Sequence, residues 1–156
     1  MDYLVDGHNL IPKIRGLSLR SLDDEQHLIM LLQIYCRVRR QRVEVFFDQA
    51  PPGHAGRKRV GTVLAHFVRQ GRTADEAIAA RLEQLGKAAP NWTVVSSDRQ
   101  VQREAKNHHA VSMSSEQFST EVQVALKVSR SSSAGDESTL SDKELKEWLN
   151  LFEGHD

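Results

Sequence analysis

Short apolar runs alternate with stretches of helical periodicity along this chain. The runs are residues 3–5, 43–47 (VEVFF), 62–68 (TVLAHFV), 92–95 (WTVV) and a weaker one at 110–113. Their length and their β-branched and aromatic content favour strands, although the third would also fit a helix. Between the first two lies SLDDEQHLIMLLQIYCRVRRQ, where Leu28, Met30, Leu31, Leu32, Ile34, Tyr35 and Val38 form a broad apolar face at helical spacing. Ser21 or Asp23 can cap its start. Arg37, Arg39, Arg40 and Arg42 crowd its end, where the helix dipole favours cations.

TADEAIAARLEQLGK predicts a second helix, with Thr73 and Glu76 as a capping box and Gly86 as its stop. DRQVQREAKNHH predicts a third, with Asp98 as N-cap, and SSEQFSTEVQVALKV a fourth. Gly7, His8 and Asn9 suit a tight turn better than helix or strand. Strands alternating with helices predict an α/β fold: a parallel sheet of about five strands with helices on both faces.

The pattern changes after Val128. SRSSSAGDEST is polar and Ser-rich, so the expected organisation is a domain over 1–128 and a linker over 129–140. Residues 141–154 then read as an amphipathic helix, with Leu145, Trp148, Leu149 and Phe152 as its stripe. Such a stripe is expected to dock on its own domain or on a partner.

At 156 residues one domain is expected. No apolar stretch is long enough to span a bilayer, and no signal peptide is visible. The single cysteine, Cys36, lies in an apolar helical stretch and reads as packing. A reducing, cytoplasmic location follows. The zero net charge hides an asymmetry: residues 1–72 carry 12 Lys/Arg against 7 Asp/Glu, and residues 131–156 carry 2 against 7. A basic first half suits an anionic partner such as nucleic acid, or simply a solvated surface.

The acids change the picture most. Asp6 ends the first predicted strand, Asp48 the second and Asp98 follows the fourth, while Asp75 opens the helix after the third. All four therefore fall at the carboxyl edge of the predicted sheet, where α/β sheets bind ligands. Singly, each has an ordinary role as turn residue, loop opener or cap. Together they repel, and a hard cation such as Mg²⁺ or Mn²⁺ would relieve that repulsion. No Cys/His spacing matches zinc, and no P-loop or GxGxxG suggests a nucleotide. The phosphate is then expected to belong to a polymer. Arg57, Lys58 and Arg59 in the expected loop GHAGRKR, and Arg99 beside Asp98, are candidate contacts to it.

The segments YLVDGHNLI, VEVFFD, GRTADEAI and VVSSD, in this order, resemble the NYN/PIN-like nuclease superfamily, most closely its YacP-like NYN branch, over roughly residues 1–126. These bacterial proteins include ribosome-associated endoribonucleases. The resemblance implies a PIN-like three-layer fold and hydrolysis of RNA phosphodiester bonds with Mg²⁺ or Mn²⁺, with ribosome-associated mRNA as one target. Carried over by position, Asp6, Asp48, Asp75 and Asp98 match the acidic quartet, and Asn9 the polar residue that would orient Asp6 or hold a metal-bound water. Glu76 is a further candidate metal neighbour, and Ser97 and Arg99 are candidate phosphate contacts. The loop after Asp48 and the tail beyond Val128 have no counterpart in that pattern. His8, beside Asp6, suits a general base, but a metal-hydroxide mechanism needs none. His54, His108 and His109 read as loop or surface residues. A noncatalytic RNA- or ribosome-binding module of the same fold is the alternative. A phosphoacceptor domain fits less well, because the first strand supplies one acid and not an adjacent pair.

Overall fold

A computed structural model of the chain describes residues 2–14 and 22–131. The strands are β1 (Asp2–Asp6), β2 (Val43–Ala50), β3 (Gly56–Val60), β4 (Val63–Arg69), β5 (Trp92–Val95) and β6 (Val111–Met113). The α-helices are α1 (Gly7–Leu10), α2 (Leu22–Arg39), α3 (Ala74–Leu85), α4 (Arg99–Asn107) and α5 (Ser115–Ser131). The sheet order is β3-β4-β2-β1-β5-β6. All neighbours are parallel except the β3–β4 pair at one edge.

Strand alternation builds two cores. Tyr3, Val5, Val45, Phe47 and Ala65 face α2 and α5, whose Leu28, Leu32, Tyr35, Phe118 and Val122 cover them. Leu4, Phe46 and Val94 point the other way, under Ile78 and Leu82 of α3 and Val101 and Ala105 of α4. The result is a three-layer α/β fold of the PIN-like type. An aromatic trio fastens α2 and α5 to β1: the ring centroids of Tyr3, Tyr35 and Phe118 lie 5.0 to 5.8 Å apart. The apolar middle of α2, Leu28 to Cys36, packs against the sheet and α5, and Cys36 is buried within it.

The capping expectations for α3 and α4 are met. Thr73 and Glu76 form a reciprocal capping box, Gly86 ends α3 at φ 52°, and Asp98 caps α4 by accepting from the Gln100 N–H. The α/β expectation holds: the sheet has six strands and is parallel but for one edge pair. Two local expectations need correction. Gly7–Asn9 is not a turn: the short helix α1 starts directly after Asp6. The sixth strand is β3, formed by the segment read as a flexible basic loop.

That segment passed for a loop because its side chains are charged, and charged side chains are also how an edge strand avoids pairing with other chains. The signal that identifies it is Gly61, which sits at φ 61° in a two-residue hairpin turn between the paired Val60 and Val63. α5 runs through Val128 to Ser131, three residues into the expected linker. The remainder of 129–140 and the helix expected at 141–154 lie outside the described residues. Among the described residues no helix is long and apolar enough to cross a membrane.

Candidate active site

β1 occupies the centre of the sheet. The chain first builds outward from it through β2 and β4, then returns to its other side to lay down β5 and β6. The crevice outside the carboxyl ends of β1 and β5 is therefore the topological switch point of the sheet, where ligands bind in open α/β folds. Asp6 stands at the end of β1 and Ser96 directly after β5.

Asp6 is nearly fully buried. The Ser96 hydroxyl donates to its Oδ2 over 3.1 Å. Burial pushes its carboxyl up to about 6; the Ser96 hydrogen bond opposes this, and the negative charges of Asp48 and Asp98 add to it. Ser96 Oγ also accepts from the Asp98 N–H at 3.1 Å, so one hydroxyl ties the acid of β1 to the loop that carries the acid of α4.

Asp48 reaches the rim through an irregularity. β2 continues past it to Ala50, but the register with β4 shifts between Phe47 and Ala50, and Gln49 adopts φ 62°. A bulge of this kind re-aims a side chain at a sheet edge. Asp48 Oδ1 pairs with His8 Nδ1 at 2.8 Å, and Oδ2 accepts a long contact, 3.4 Å, from the Ala74 N–H at the start of α3. His8 Nε2 lies 2.5 Å from Glu25 Oε2. The hydrogen bond to Glu25, against the cost of burial and with help from Asp48, holds the imidazole above its ordinary pKa.

Asp75 lies in the first turn of α3, and its Oδ1 is buried without a hydrogen-bond partner among the described residues. Burial raises its pKa, and the charges of Asp98, Glu104 and Glu76 add to the rise. The quartet is thus electrostatically linked, Asp48 and Asp98 acting on Asp6 and Asp98 acting on Asp75. The linkage stops short of a closed shell. Among the described residues no three His, Cys, Asp or Glu side chains converge closely enough to hold a metal ion as they stand.

Asn9 sits differently from expectation. Its side-chain Oδ1 accepts from the Ser97 N–H at 2.9 Å and the Ser115 hydroxyl at 2.6 Å, so it joins α1 to the β5–α4 loop and to α5. Only its backbone N–H acts on Asp6. Ser97 donates its hydroxyl to Glu116 and accepts from the Ser115 N–H, which places it in the same bracing network. Glu76 is occupied by its capping box with Thr73. Arg99 is exposed at the start of α4.

The three basic residues of β3 are separated by strand alternation. Arg57 and Arg59 pair with His66 and Leu64, while Lys58 between them pairs with Ala65, whose side chain belongs to the opposite core. Sequence reasoning missed Glu25, Ser96 and Ser115. Glu25 is one of three acids in the first turn of α2, and nothing in its spacing shows that it meets His8.

The model of the YacP-like NYN domain matches residues 3–153, further along the chain than the motifs themselves reach. A search of curated proteins returns no significant match. Among solved structures, the fold matches Rae1 (YacP) from Bacillus subtilis with a TM-score of 0.71 and 25% identity over 99% of this chain and 95% of that one. A tryptophan-to-leucine variant of the same protein matches with a TM-score of 0.66 and 26% identity, over 97% and 92%. The motifs, the switch-point acids and the match over almost the whole length agree: the chain belongs to the YacP-like NYN domain family.

Proposed function

We propose that this protein is a metal-dependent endoribonuclease that hydrolyses RNA phosphodiester bonds at the rim formed by Asp6, Asp48, Asp75 and Asp98. Membership of an RNase-type nuclease family supports the reaction class. The observation that carries the reading is the electrostatic linkage of the four carboxylates, with one of them, Asp6, pushed up to about 6. Oxygen-donor side chains whose charges raise the proton affinity of Asp6 and Asp75 suit a hard divalent cation. The orphaned Asp75 Oδ1 is a donor atom without a protein partner among the described residues.

The absence of a preformed three-ligand cluster is compatible with Mg²⁺, which is commonly held by one or two carboxylates and keeps several waters. Asp6, Asp48, Asp75 and Asp98 are the side chains that would hold the ion, one or two of them directly and the others through its waters. Mg²⁺ or Mn²⁺ bound there would supply Lewis-acid polarisation of a phosphate and a water of lowered pKa. The protein's own groups position the rest. His8 and Glu25 fix Asp48, Ser96 fixes Asp6 against the Asp98 loop, and Asn9 anchors that loop. Arg57, Lys58, Arg59 and Arg99, with Ser97, are the proposed contacts to the RNA backbone, and such contacts position a strand without reading its sequence.

Ribosome-associated mRNA in the cytoplasm is the target that the family resemblance suggests. The test is cleavage of labelled RNA by the full chain with Mn²⁺, with Mg²⁺ and with chelator. Cleavage that needs the ion and is lost in Asp98→Asn supports the reading. The second reading, a noncatalytic RNA- or ribosome-binding module, is favoured by the open arrangement of the acids. Metal-independent RNA binding or ribosome cosedimentation without cleavage would establish it.

A further inference from the structure

A cleft of about 500 Å³ opens on the α3 face of the sheet, and none of the four rim acids lines it. Phe46 and His66 line it, with their rings stacked at 4.3 Å and 4°. His66 is fixed by Glu44, whose carboxylate lies 2.8 Å from the His66 Nε2 and accepts two bonds of 2.9 Å from Arg81. Glu44 is the one acidic side chain lining this cleft, and its charge is spent on Arg81 and His66. Arg57, Arg69 and Arg72 also line it; all three are exposed, and none forms an ion pair among the described residues. Among the described residues the cleft therefore carries three positive charges without an ion-pair partner, over an aromatic, partly apolar floor.

Its position links it to the acids. Arg69 ends β4, and the Arg72 N–H bonds back to the Arg69 carbonyl at 3.2 Å, so both arginines sit on one tight turn. That turn runs straight into Thr73, the N-cap of α3, and then into Asp75. Arg57 faces the same side from β3 through its pairing with His66.

We propose that this cleft is the track for a single RNA strand on one side of the acidic rim, with Arg57, Arg69 and Arg72 on consecutive phosphates and a base against the His66–Phe46 floor. The proposal rests on the nuclease reading and deepens it. Arginines suit phosphate geometry, and unpaired bases stack on rings of any sequence context. The cleft has the size of a small-molecule site, which admits a splayed base and not a duplex, whose bases are stacked inside.

The test is equilibrium binding of a short labelled single-stranded RNA to the full chain in chelator, where cleavage is silent, across a salt series. The variant Arg57→Ala/Arg69→Ala/Arg72→Ala should bind about tenfold more weakly or worse, with a salt slope lower by about 2, since each phosphate contact on a single strand contributes about 0.7. Lys87→Ala/Lys106→Ala, which removes charge just after α3 and in the last turn of α4, should match wild type within about twofold. The triple Lys version should recover most of the affinity, which separates lost charge from misfolding. Wild-type binding by the triple Ala variant overturns the track and leaves the nuclease reading standing. Equal competition by inorganic phosphate or AMP overturns it in favour of a small-anion pocket, and equal affinity for duplex RNA overturns the single-strand assignment. A wild type that neither binds nor cuts RNA removes both proposals together.

Discussion

His8 Nδ1 and Asp48 Oδ1 lie 2.8 Å apart, and the other ring nitrogen of His8 is held by Glu25. Asp48 is thereby anchored to α2, an element that the spacing of acids along the chain gives no reason to include. Partners of this kind behind a metal-binding carboxylate are typically worth about 10–100-fold in metal affinity or activity. Glu25→Gln should therefore shift the Mn²⁺ dependence of RNA cleavage to higher concentrations by about tenfold or more. Titrating activity against Mn²⁺ reads this directly; an unchanged midpoint would mean that Asp48 needs no such support.

Asp6→Asn and Asp98→Asn should each abolish cleavage, but they should differ in stability. Asp6 is buried and its proton affinity is raised, so its ionised form is a cost to the fold at neutral pH. The neutral isostere removes that cost while keeping an acceptor for Ser96, and Asp6→Asn should unfold at a denaturant concentration equal to or above wild type in chelator. Asp98 instead caps α4, and Asn is an equally good cap, so that variant should stay close to wild type. Urea unfolding followed by circular dichroism measures both.

Gly7→Ala should destabilise the protein by about 1–3 kcal/mol although Gly7 lies in a helix, where alanine is normally preferred. A Cβ at this position would overlap the Phe47 ring and fall 2.9 Å from the Phe46 carbonyl oxygen. The close approach lets α1 start on the residue after Asp6. A thermal midpoint at or above that of wild type would show that β2 yields easily.

Glu44 supplies a pH dependence remote from the acidic rim. Burial would raise its pKa, but the hydrogen bonds from His66 and Arg81 outweigh burial and hold it at about 2 in the folded chain, against an ordinary 4.5. A carboxylate with a depressed folded pKa contributes stability above its unfolded pKa and loses it as pH falls toward the folded one. Wild type should therefore lose about 3 kcal/mol relative to Glu44→Gln as pH drops from about 5 to about 2. Urea unfolding of both proteins across that range tests it, and parallel curves would refute it.

The local code of this chain was legible without coordinates. Short apolar runs, helical stripes, the Thr73–Glu76 box, the Gly86 stop and the Asp98 cap are decided by neighbours a few residues away, and each appears where the pattern put it. The motif order carried the family, and the strand ends brought Asp48 and Asp98 near enough to act on Asp6, and Asp98 on Asp75. What only the tertiary structure decided depends on which side chains meet across long sequence separations. The basic stretch 56–60 became an edge strand because β4 offers it a pairing edge, and alternation then set Lys58 apart from Arg57 and Arg59. Gly7–Asn9 became a helix because Asn9 finds Ser97 and Ser115, 88 and 106 residues away. Glu25 reached His8 because α2, packed on one face of the sheet, brings its first turn to the carboxyl end of β1. Hydrogen bonds of this kind leave no periodicity in a sequence, since their partners are chosen by the packing of finished elements.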